Sequence, residues 1–516
     1  MNFRLMRGFT ISVCLLVACA AAVRAQDAGQ VLRLSVGYNT LKNSTKMDDA
    51  MRSKVEGLGK KAQEARQAGR YGEALKHYHH AIALMRGAEW TPERALTTAL
   101  TFRPERAVLE PAQTVSVRVG QIFSLDEKPR GKLAASVVLL RMRGDEPLAV
   151  LKSLDSFEPD VPLSAEVTIP DVEDGSYRLA VIIKPPAPSA SSPVVKAATV
   201  RIERGLAKKV AAAKARAAKV EARLKEGGKQ ALAAEMASAQ YRIGLFDLAS
   251  AGDIPPERVD FDRELKEADE QLSDLEAGRD PFARRRGDFR KAYRSQVDDT
   301  LQPYRVFVPS SYDGSKPYPL VIALHGMGGD ENSYFDFYKN DNGENTFKAE
   351  AERHGYIVAC PKGREPASMY LGAAERDVMD VISEVRRAYR IDPDRIYMTG
   401  HSMGGFGTWS IAMNHPDLFA ALAPVAGGGN ASKMSRIAHV PQLVVHGDDD
   451  KTVPVQNSRA MVEAAKKLNV EVRYMEIPGG DHVSVAARTF KDVFEWFNAH
   501  RRNNSKAKGA AGASSN

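Results

Sequence analysis

Cysteine is scarce in this sequence, which limits the covalent cross-links that could hold the chain together. Only three of the 516 residues are cysteine, namely Cys14, Cys19 and Cys360. The first two lie in a stretch that we predict to be removed, so Cys360 would remain alone and no intrachain disulfide could form. A chain of this length buries enough apolar surface to fold without disulfides, even in an oxidising compartment.

The apolar run at the N-terminus is too short to cross a membrane comfortably. Residues 8–23 read GFTISVCLLVACAAAV, follow Arg4 and Arg7, and precede small residues that end at Ala25. A basic start, an apolar centre and small residues at a cleavage point are typical of a secretory signal peptide. The pattern predicts an exported protein, periplasmic or secreted, that is cleaved before Gln26.

A second interpretation of the same stretch is a lipoprotein signal. Leu16–Cys19 reads LVAC and resembles a bacterial lipobox, which would leave a lipidated Cys19 as a membrane anchor. The residues after Cys19 stay apolar instead of forming a polar tether, and this favours simple export. Membrane attachment is expected only if Cys19 is lipidated.

Basic charge is less widespread than the formal net charge of +8 suggests. Residues 1–25 carry three arginines and no acidic residue, and residues 501–516 carry two arginines and two lysines. The rest of the chain therefore has a net charge of about +1. Because no basic face is implied, nucleic acid is excluded as a partner. The composition, 43% hydrophobic and 27% charged, is that of a soluble globular protein.

The hydrophobic period changes several times along the chain, which predicts three or more structural units. Short alternating strands give way after residue 203 to an apolar seam with helical spacing, and after residue 288 strands and helices alternate. The predicted organisation is a signal peptide (1–25), a helical region (26–99), a small immunoglobulin-like β-sandwich (100–203), a helical connector (204–288), an α/β domain (289–500) and a disordered basic tail (501–516).

The helical region contains one segment with a recognisable spacing. Residues 69–84 read GRYGEALKHYHHAIAL and resemble half of a tetratricopeptide repeat. A single unit cannot stack into a solenoid, so we predict one helical hairpin. His77 and His80 share a helix face, but no carboxylate or cysteine accompanies them at ligand spacing, and no metal site is predicted.

The α/β domain contains a serine in a glycine-rich turn. Residues 400–405 read GHSMGG, with a predicted strand before Ser402 and a predicted helix after it. This is the sequence context of a nucleophile elbow, in which Gly400 and Gly404 allow a sharp turn and a close approach of neighbouring elements. The start of the following helix also favours developing negative charge. Ser402 is therefore the predicted nucleophile.

Three further segments complete a serine-hydrolase pattern in the order nucleophile, acid, base. The turn LHGMGG (324–329) supplies the Met327 amide, which could hold an oxyanion together with the amide of Met403. Three adjacent aspartates follow a late strand, and His482 follows the last strand. The order Ser, Asp, His along the chain is that of α/β-hydrolases.

The C-terminal 200 or so residues resemble serine esterases of the α/β-hydrolase superfamily. The stretches YRVFVPSSYDGSKPYPLVIALHGMGG and GHSMGGFGTW are similar to bacterial phospholipase/carboxylesterase-like enzymes, feruloyl esterases and polyhydroxybutyrate depolymerases. The second stretch also resembles prolyl oligopeptidase-type peptidases. Such peptidases usually carry a β-propeller, and the front half is too short and too helical to form one. An esterase is therefore the preferred interpretation, and a serine peptidase is the alternative.

The resemblance implies a role for each candidate residue. The run VVHGDDDKTVP is similar to the family pattern HGxxDxxVP, which aligns Asp450 as the acid and leaves Asp449 as the alternative. His325 and His446 are expected to shape turns, His401 to point away from the site, and Cys360 to lie in the core. The implied chemistry is two-step acyl transfer on small or polymer-linked carboxylic esters, with no metal or organic cofactor. The sequence leaves the oligomeric state open.

Access to the site can also be anticipated. Only residues 427–440 separate two of the late strands, which is too short for a helical lid and predicts an open cleft. The loop at 329–345 is rich in aromatics, and Tyr334, Phe335 and Phe337 are candidates for packing an acyl or aryl group. The alternative is that these side chains anchor the loop to the core.

Overall fold

The computed structural model describes residues 28–127, 133–159, 161–184, 193–339, 342–364 and 367–502. The predicted signal peptide, Cys19 and most of the predicted basic tail lie outside the described residues. Contacts divide the chain into two compact units, Met1–Ala215 with Arg242–Glu267, and Arg216–Tyr241 with Ala268–Asn516. No helix in the described ranges combines the length and the apolar character needed to cross a membrane.

The first unit begins with helices. They are α1 (28–44), α2 (Asp49–Gln67), α3 (Tyr71–Met85) and α4 (Pro92–Ala99). Asp48 and Thr91 cap α2 and α4 by accepting hydrogen bonds from backbone N–H groups of the first turn. Val55 of α2 and Tyr78 of α3 belong to one buried apolar cluster, which joins the two helices as a hairpin.

Two sheets follow in the first unit. Their strands are β1 (Leu100–Pro104), β2 (Val108–Leu109), β3 (Thr114–Gln121), β4 (Leu133–Arg141), β5 (Pro147–Phe157), β6 (Leu163–Thr168), β7 (Gly175–Lys184) and β8 (Val194–Ile202). Their orders are β1-β3-β6 and β2-β8-β7-β4-β5. Apolar side chains from both sheets, such as Val117 of β3 and Val137 of β4, share one core, as in a β-sandwich.

Three long helices come next: α5 (Leu206–Glu226), α6 (Gln230–Ala251) and α7 (Phe261–Glu276). The apolar seam that the sequence predicts for α5 is buried at Val210, Val220 and Leu224. The boundaries between the two compact units fall inside these three helices.

The second unit is built on an eight-stranded sheet. Its strands are β9 (Gly287–Arg294), β10 (Leu301–Val308), β11 (Tyr318–Leu324), β12 (Ile357–Pro361), β13 (Ile391–His401), β14 (Ala421–Val425), β15 (Gln442–Gly447) and β16 (Val472–Ile477), in the order β16-β15-β14-β13-β11-β12-β10-β9. β11 to β16 pair in parallel, whereas β10 pairs antiparallel with both β9 and β12. The predicted α/β class with a mostly parallel sheet is confirmed.

Helices cover both faces of this sheet. They are α8 (Ser333–Asp336), α9 (Thr346–His354), α10 (Ala373–Ala388), α11 (Met403–Asn414), α12 (Gln456–Lys467) and α13 (Ser484–Ala499). Alternate residues of the central strands enter two separate cores, for example Met398 on one face and Tyr397 on the other. Burial on both faces explains why these strands are continuous apolar runs in the sequence.

The parallel strands end together at one edge of the sheet. Leu324 at the end of β11 is in register with Gly400 of β13, and Gly447 of β15 with Ile477 of β16. The loops that carry the predicted site residues all leave from this edge. The segment between β14 and β15 contains a short 3-10 helix, Ala431–Ile437.

Candidate active site

Ser402 occupies the sharp turn between β13 and α11. Its backbone has φ 58° and ψ −118°, a conformation that residues other than glycine rarely adopt. Such strain costs on the order of 1–3 kcal/mol and persists only where the surrounding structure enforces it. Here the Ser402 N–H donates to the Val425 carbonyl at 2.9 Å, which fixes the turn against β14.

The glycines on either side of the serine are required by close backbone contacts. A Cβ atom at Gly400 would lie 2.2 Å from the carbonyl oxygen of Gly404, and a Cβ atom at Gly404 would lie 1.9 Å from that of Leu324. Both distances are far below van der Waals contact. The two glycines therefore let α11 pack directly against the end of β11, which places Ser402 at the edge of the sheet.

His482 connects the serine to an aspartate. Its Nε2 lies 2.9 Å from Ser402 Oγ, and its Nδ1 lies 2.7 Å from Asp450 Oδ2. His482 comes from the turn between β16 and α13, and Asp450 from the turn after β15. The structure thus brings together the three residues that the sequence singled out, over separations of 32 and 80 positions.

Asp450 is nearly buried and held in one orientation. Its Oδ1 accepts the N–H groups of Thr452 and Val453, both at 2.8 Å. Burial alone would raise the pKa of Asp450, but hydrogen bonds from His446 and His482 outweigh it and hold the pKa well below its ordinary value. The carboxylate therefore stays ionised beside His482.

The neighbouring aspartates have other partners. Asp449 pairs with Lys451 at 2.5 Å, and both side chains are about half exposed. Asp448 Oδ1 accepts the N–H of Gly479 at 2.7 Å. Asp450 is the member of the trio that contacts His482.

The two candidate oxyanion donors lie next to Ser402. Met403 is the first residue of α11, so its N–H precedes the helix's own hydrogen-bond ladder. The turn that contains Met327 approaches from β11: a Cβ atom at the adjacent Gly326 would lie 3.4 Å from Ser402 Cβ. The Met403 N–H therefore adjoins Ser402, and the turn that carries Met327 lies close to the serine side chain.

Two histidines contact the site. The prediction that His401 points away from the site is wrong, because its ring lies 4.9 Å from that of His482. His401 is 7% exposed, and its Nε2 donates to the carbonyl oxygen of His482 at 2.6 Å. Burial and the nearby His482 lower the pKa of His401 to about 4, so this imidazole is neutral near pH 7. His446 Nε2 lies 3.2 Å from Asp450 Oδ2, so it contacts the candidate acid as well as shaping its turn. The first contact joins two segments that are 81 positions apart, whereas the second joins residues four positions apart at the end of β15 and in the turn after it.

His325 and Cys360 have the surroundings expected of structural residues. The ring nitrogens of His325 lie 2.8 and 2.7 Å from the carbonyl oxygens of Gly326 and Lys362, which joins the turn after β11 to the end of β12. Cys360 is 2% exposed at the end of β12.

Two of the three candidate substrate contacts, Tyr334 and Phe335, lie in the core. Each is 1% exposed, and both belong to the apolar cluster that includes Phe347 and Phe490. This arrangement corresponds to the anchoring alternative, because a substrate cannot reach either ring without displacing the loop. The exposed aromatic residue of the same loop is Phe337, at 64%.

His77 and His80 of α3 have partners other than a metal. His77 Nε2 lies 3.7 Å from Glu73, and the His80 ring stacks on Trp90 with centroids 4.9 Å apart. Among the described residues, no group of three or more His, Cys, Asp or Glu side chains is arranged to hold a metal ion.

Ser402 lies in a strained turn between a parallel strand and a helix, and it is hydrogen-bonded through His482 to Asp450. Together with the order of the strands in the sheet, this arrangement defines the α/β-hydrolase class. In comparison with known proteins, part of the chain is similar to carboxylic ester hydrolases. The model of the PET hydrolase-like family matches residues 367–497, which include Ser402, Asp450 and His482. The predicted resemblance to this group of esterases is confirmed.

Individual relatives agree with the family model. A probable feruloyl esterase C of Aspergillus terreus is 28% identical over 167 residues, 32% of this chain and 60% of that protein. A poly(3-hydroxyalkanoate) depolymerase C of Paucimonas lemoignei is 30% identical over 137 residues, 23% of this chain and 30% of that protein. A bifunctional acetylxylan esterase/xylanase of Neocallimastix patriciarum is 31% identical over 156 residues, 29% of this chain and 22% of that protein. The chain thus spans less than two thirds of the length of each of these relatives.

Proposed function

We propose that this protein is a serine carboxylic ester hydrolase that works through an acyl-enzyme. The observation that carries the proposal is the continuous hydrogen-bonded path from Ser402 Oγ through His482 to Asp450. The path supplies a nucleophile, a base in contact with it, and an anion that orients the base. The similarity to carboxylic ester hydrolases supports the same reaction class.

Each residue has a defined part in the reaction. His482 Nε2 removes the Ser402 proton as Oγ attacks the ester carbonyl, and it then gives that proton to the departing alcohol. Asp450 keeps the second ring nitrogen protonated and stabilises the imidazolium that forms. A water molecule, deprotonated by His482, releases the acid from Ser402 in the second step.

The amides of Met327 and Met403 are proposed to hold the oxyanion. Charge develops on the carbonyl oxygen in both steps, and fixed N–H donors at this position stabilise it without reorganisation. The position of Met403 at the start of α11 adds the favourable field of the helix N-terminus. No metal or organic cofactor takes part in this scheme.

The proposed substrates are carboxylic esters, either small or linked to a polymer. Relatives named for feruloyl esters and for polyhydroxyalkanoate support this range. An open cleft, proposed from the short segment between β14 and β15, would admit a polymer chain. Export of the protein, with or without a lipid anchor, remains a prediction.

The test is hydrolysis by the purified protein and its Ser402→Ala variant. The panel contains p-nitrophenyl acetate, longer p-nitrophenyl esters, methyl ferulate and a peptide p-nitroanilide. We expect ester turnover to fall by about 10⁴ to 10⁶ in the variant, because the nucleophile is lost while the fold is kept. Cleavage of the anilide alone by the wild type would instead identify a peptidase.

Matched aspartate variants test the rest of the path. Asp450→Asn is expected to lower kcat by about 10⁴, because the amide cannot hold His482 in the required tautomer. Asp449→Asn, at the adjacent position but paired with Lys451, is the control and should retain activity. Equal losses in both variants would contradict the assignment of Asp450.

A further inference from the structure

Two large apolar side chains are exposed to solvent on loops at the edge of the sheet where Ser402 lies. Phe337 is 64% exposed and follows α8, in the connection from β11 to β12. Leu371 is 60% exposed and lies between β12 and α10. Both loops leave from the C-terminal ends of parallel strands, as the loops of Ser402, Asp450 and His482 do.

Phe337 is anchored by the tyrosine that follows it. Its ring lies 5.4 Å from the ring of Tyr338, which is 6% exposed. The Tyr338 ring meets the ring of His401 edge-on at 6.1 Å, and the His401 ring lies 4.9 Å from that of His482. Two intervening rings therefore connect the exposed phenyl group to the candidate base.

Leu371 is anchored by the tyrosine that precedes it. Tyr370 is fully buried, its hydroxyl donates to the His325 carbonyl at 3.3 Å, and its ring packs against Gly407 of α11. Met369 and Tyr370 both have φ 53°. Two consecutive strained residues persist only where packing enforces the conformation, so Leu371 is held in its exposed position.

The two anchors lie on opposite faces of the sheet. Tyr370 belongs to the core that contains Met398 and α10, and Tyr338 to the core that contains Tyr397 and α13. Ser402 lies at the edge between these faces, at the junction of β13 and α11. The loops that carry Phe337 and Leu371 are therefore anchored on the two faces of the sheet, with Ser402 at the edge between them.

We propose that Phe337 and Leu371 are specificity residues that bind apolar groups on the two sides of the scissile bond, so that the preferred substrate is an extended apolar ester, aryl or long alkyl. The inference rests on the proposed esterase function and adds the substrate class. A small ester such as methyl acetate is too short to cover either side chain. An extended ester removes apolar surface from water at both, which favours its binding.

The experiment compares kcat/KM for p-nitrophenyl octanoate with kcat/KM for methyl acetate, the latter followed by acid release. The ratio of the two values is measured for the full chain and for Phe337→Ser and Leu371→Ser. We expect each variant to lower the ratio about tenfold, which is the effect of removing part of one buried apolar side chain. The double variant should lower it about a hundredfold, since separate sites act independently. Phe337→Leu should restore most of the loss.

The control is Leu468→Ser. Leu468 is 43% exposed and follows α12, in the connection that leads into the start of β16 at the opposite edge of the sheet. The ratio should not change in this variant.

Two results would overturn the inference: an equal fall for both esters in the Phe337 and Leu371 variants, or an equal change of the ratio in the Leu468 variant. Failure of the proposed function is distinguishable from these results. In that case the wild type would hydrolyse neither ester, or Ser402→Ala would retain the activity, and both proposals would be wrong.

Discussion

His401 places a neutral imidazole against the backbone of the candidate base. Its Nε2–H donates to the His482 carbonyl, and its ring is packed edge-on by Tyr338. Protonating the second ring nitrogen would put a charge in a buried position, and burial accordingly lowers the pKa of His401 to about 4. The residue therefore makes the stability of the folded protein depend on pH.

The sign of this effect follows from the protons bound in each state. In the unfolded chain the pKa of His401 is about 6.5, so between pH 6.5 and 4 the unfolded state binds more protons than the folded state. Stability from the neutral ring is present above pH 6.5 and is lost as the pH falls towards 4. Between pH 7.5 and 5 the loss amounts to about 2 kcal/mol.

We expect His401→Gln to reduce this pH dependence by about 2 kcal/mol, because glutamine can still donate to the His482 carbonyl but does not titrate. The measurement is the free energy of urea unfolding at pH 7.5 and pH 5. His439→Gln, at a histidine whose side chain is 37% exposed, is the control and should behave as the wild type. If the free energy of unfolding of the His401 variant kept the wild-type pH dependence, burial of this ring would not be its cause.

At the scale of residues, sequence signals located the candidate site but not all of the residues that contact it. Ser402 and the loop of Asp450 stand in local motifs, since a sharp turn demands glycine and an aspartate cluster follows a strand. The contact of His401 with His482 depends on loops that approach only after folding. The same limit applies to Tyr334 and Phe335, whose burial at 1% is set by α9 and α13.

The packing of α11 against β11 is closest at Gly404. A Cβ atom at Gly404 would overlap the Leu324 carbonyl at 1.9 Å, and the atom met is backbone, which cannot rotate away. The substitution Gly404→Ala must therefore displace the helix that follows Ser402.

We expect Gly404→Ala to destabilise the protein by about 2–3 kcal/mol and to lower esterase turnover, because both the helix and the Met403 amide move. The control is Gly57→Ala in α2, where a Cβ atom would meet nothing within 4 Å and the helix should gain up to about 1 kcal/mol. Thermal unfolding and p-nitrophenyl acetate hydrolysis measure the two effects. A Gly404 variant with wild-type stability and turnover would disprove the close approach.

At the scale of elements, the strands buried on both faces were predictable and the edge strand was not. β11, β13 and β15 are apolar runs because helices cover them on both sides. β9 carries Arg290 and Lys291, which hide its strand pattern. Lys291 is nonetheless 1% exposed, because its Nζ pairs with Glu235 at 2.9 Å. A buried ion pair of this kind has no signature in sequence.

At the scale of the whole molecule, each compact unit has its own apolar cores. The sandwich core and the helical core lie within the first unit, and two cores flank the eight-stranded sheet of the second. Changes of hydrophobic period were enough to predict an α/β region after a β-rich one. The contact boundaries inside α5, α6 and α7 could not be predicted, because each boundary falls within a continuous helix.

Cys360 offers a probe for the opening of the second unit. It is 2% exposed within the core that contains Tyr397 and Phe494, and burial raises the pKa of its thiol well above the ordinary value. A thiol that is both inaccessible and protonated reacts slowly with disulfide reagents. In a chain that carries Cys14→Ser and Cys19→Ser, Cys360 is the one remaining thiol.

We expect this thiol to be unreactive towards 5,5′-dithiobis(2-nitrobenzoate) in the native protein and to react in strong denaturant. At intermediate urea its rate should follow the unfolded fraction, since exposure then requires the whole core to open. The reagent should leave esterase activity intact in native protein, because Ser402 is the proposed nucleophile. Rapid native labelling would mean that the end of β12 opens locally, and labelling with proportional loss of activity would mean that this opening reaches the site through Lys362, whose carbonyl lies 2.7 Å from His325.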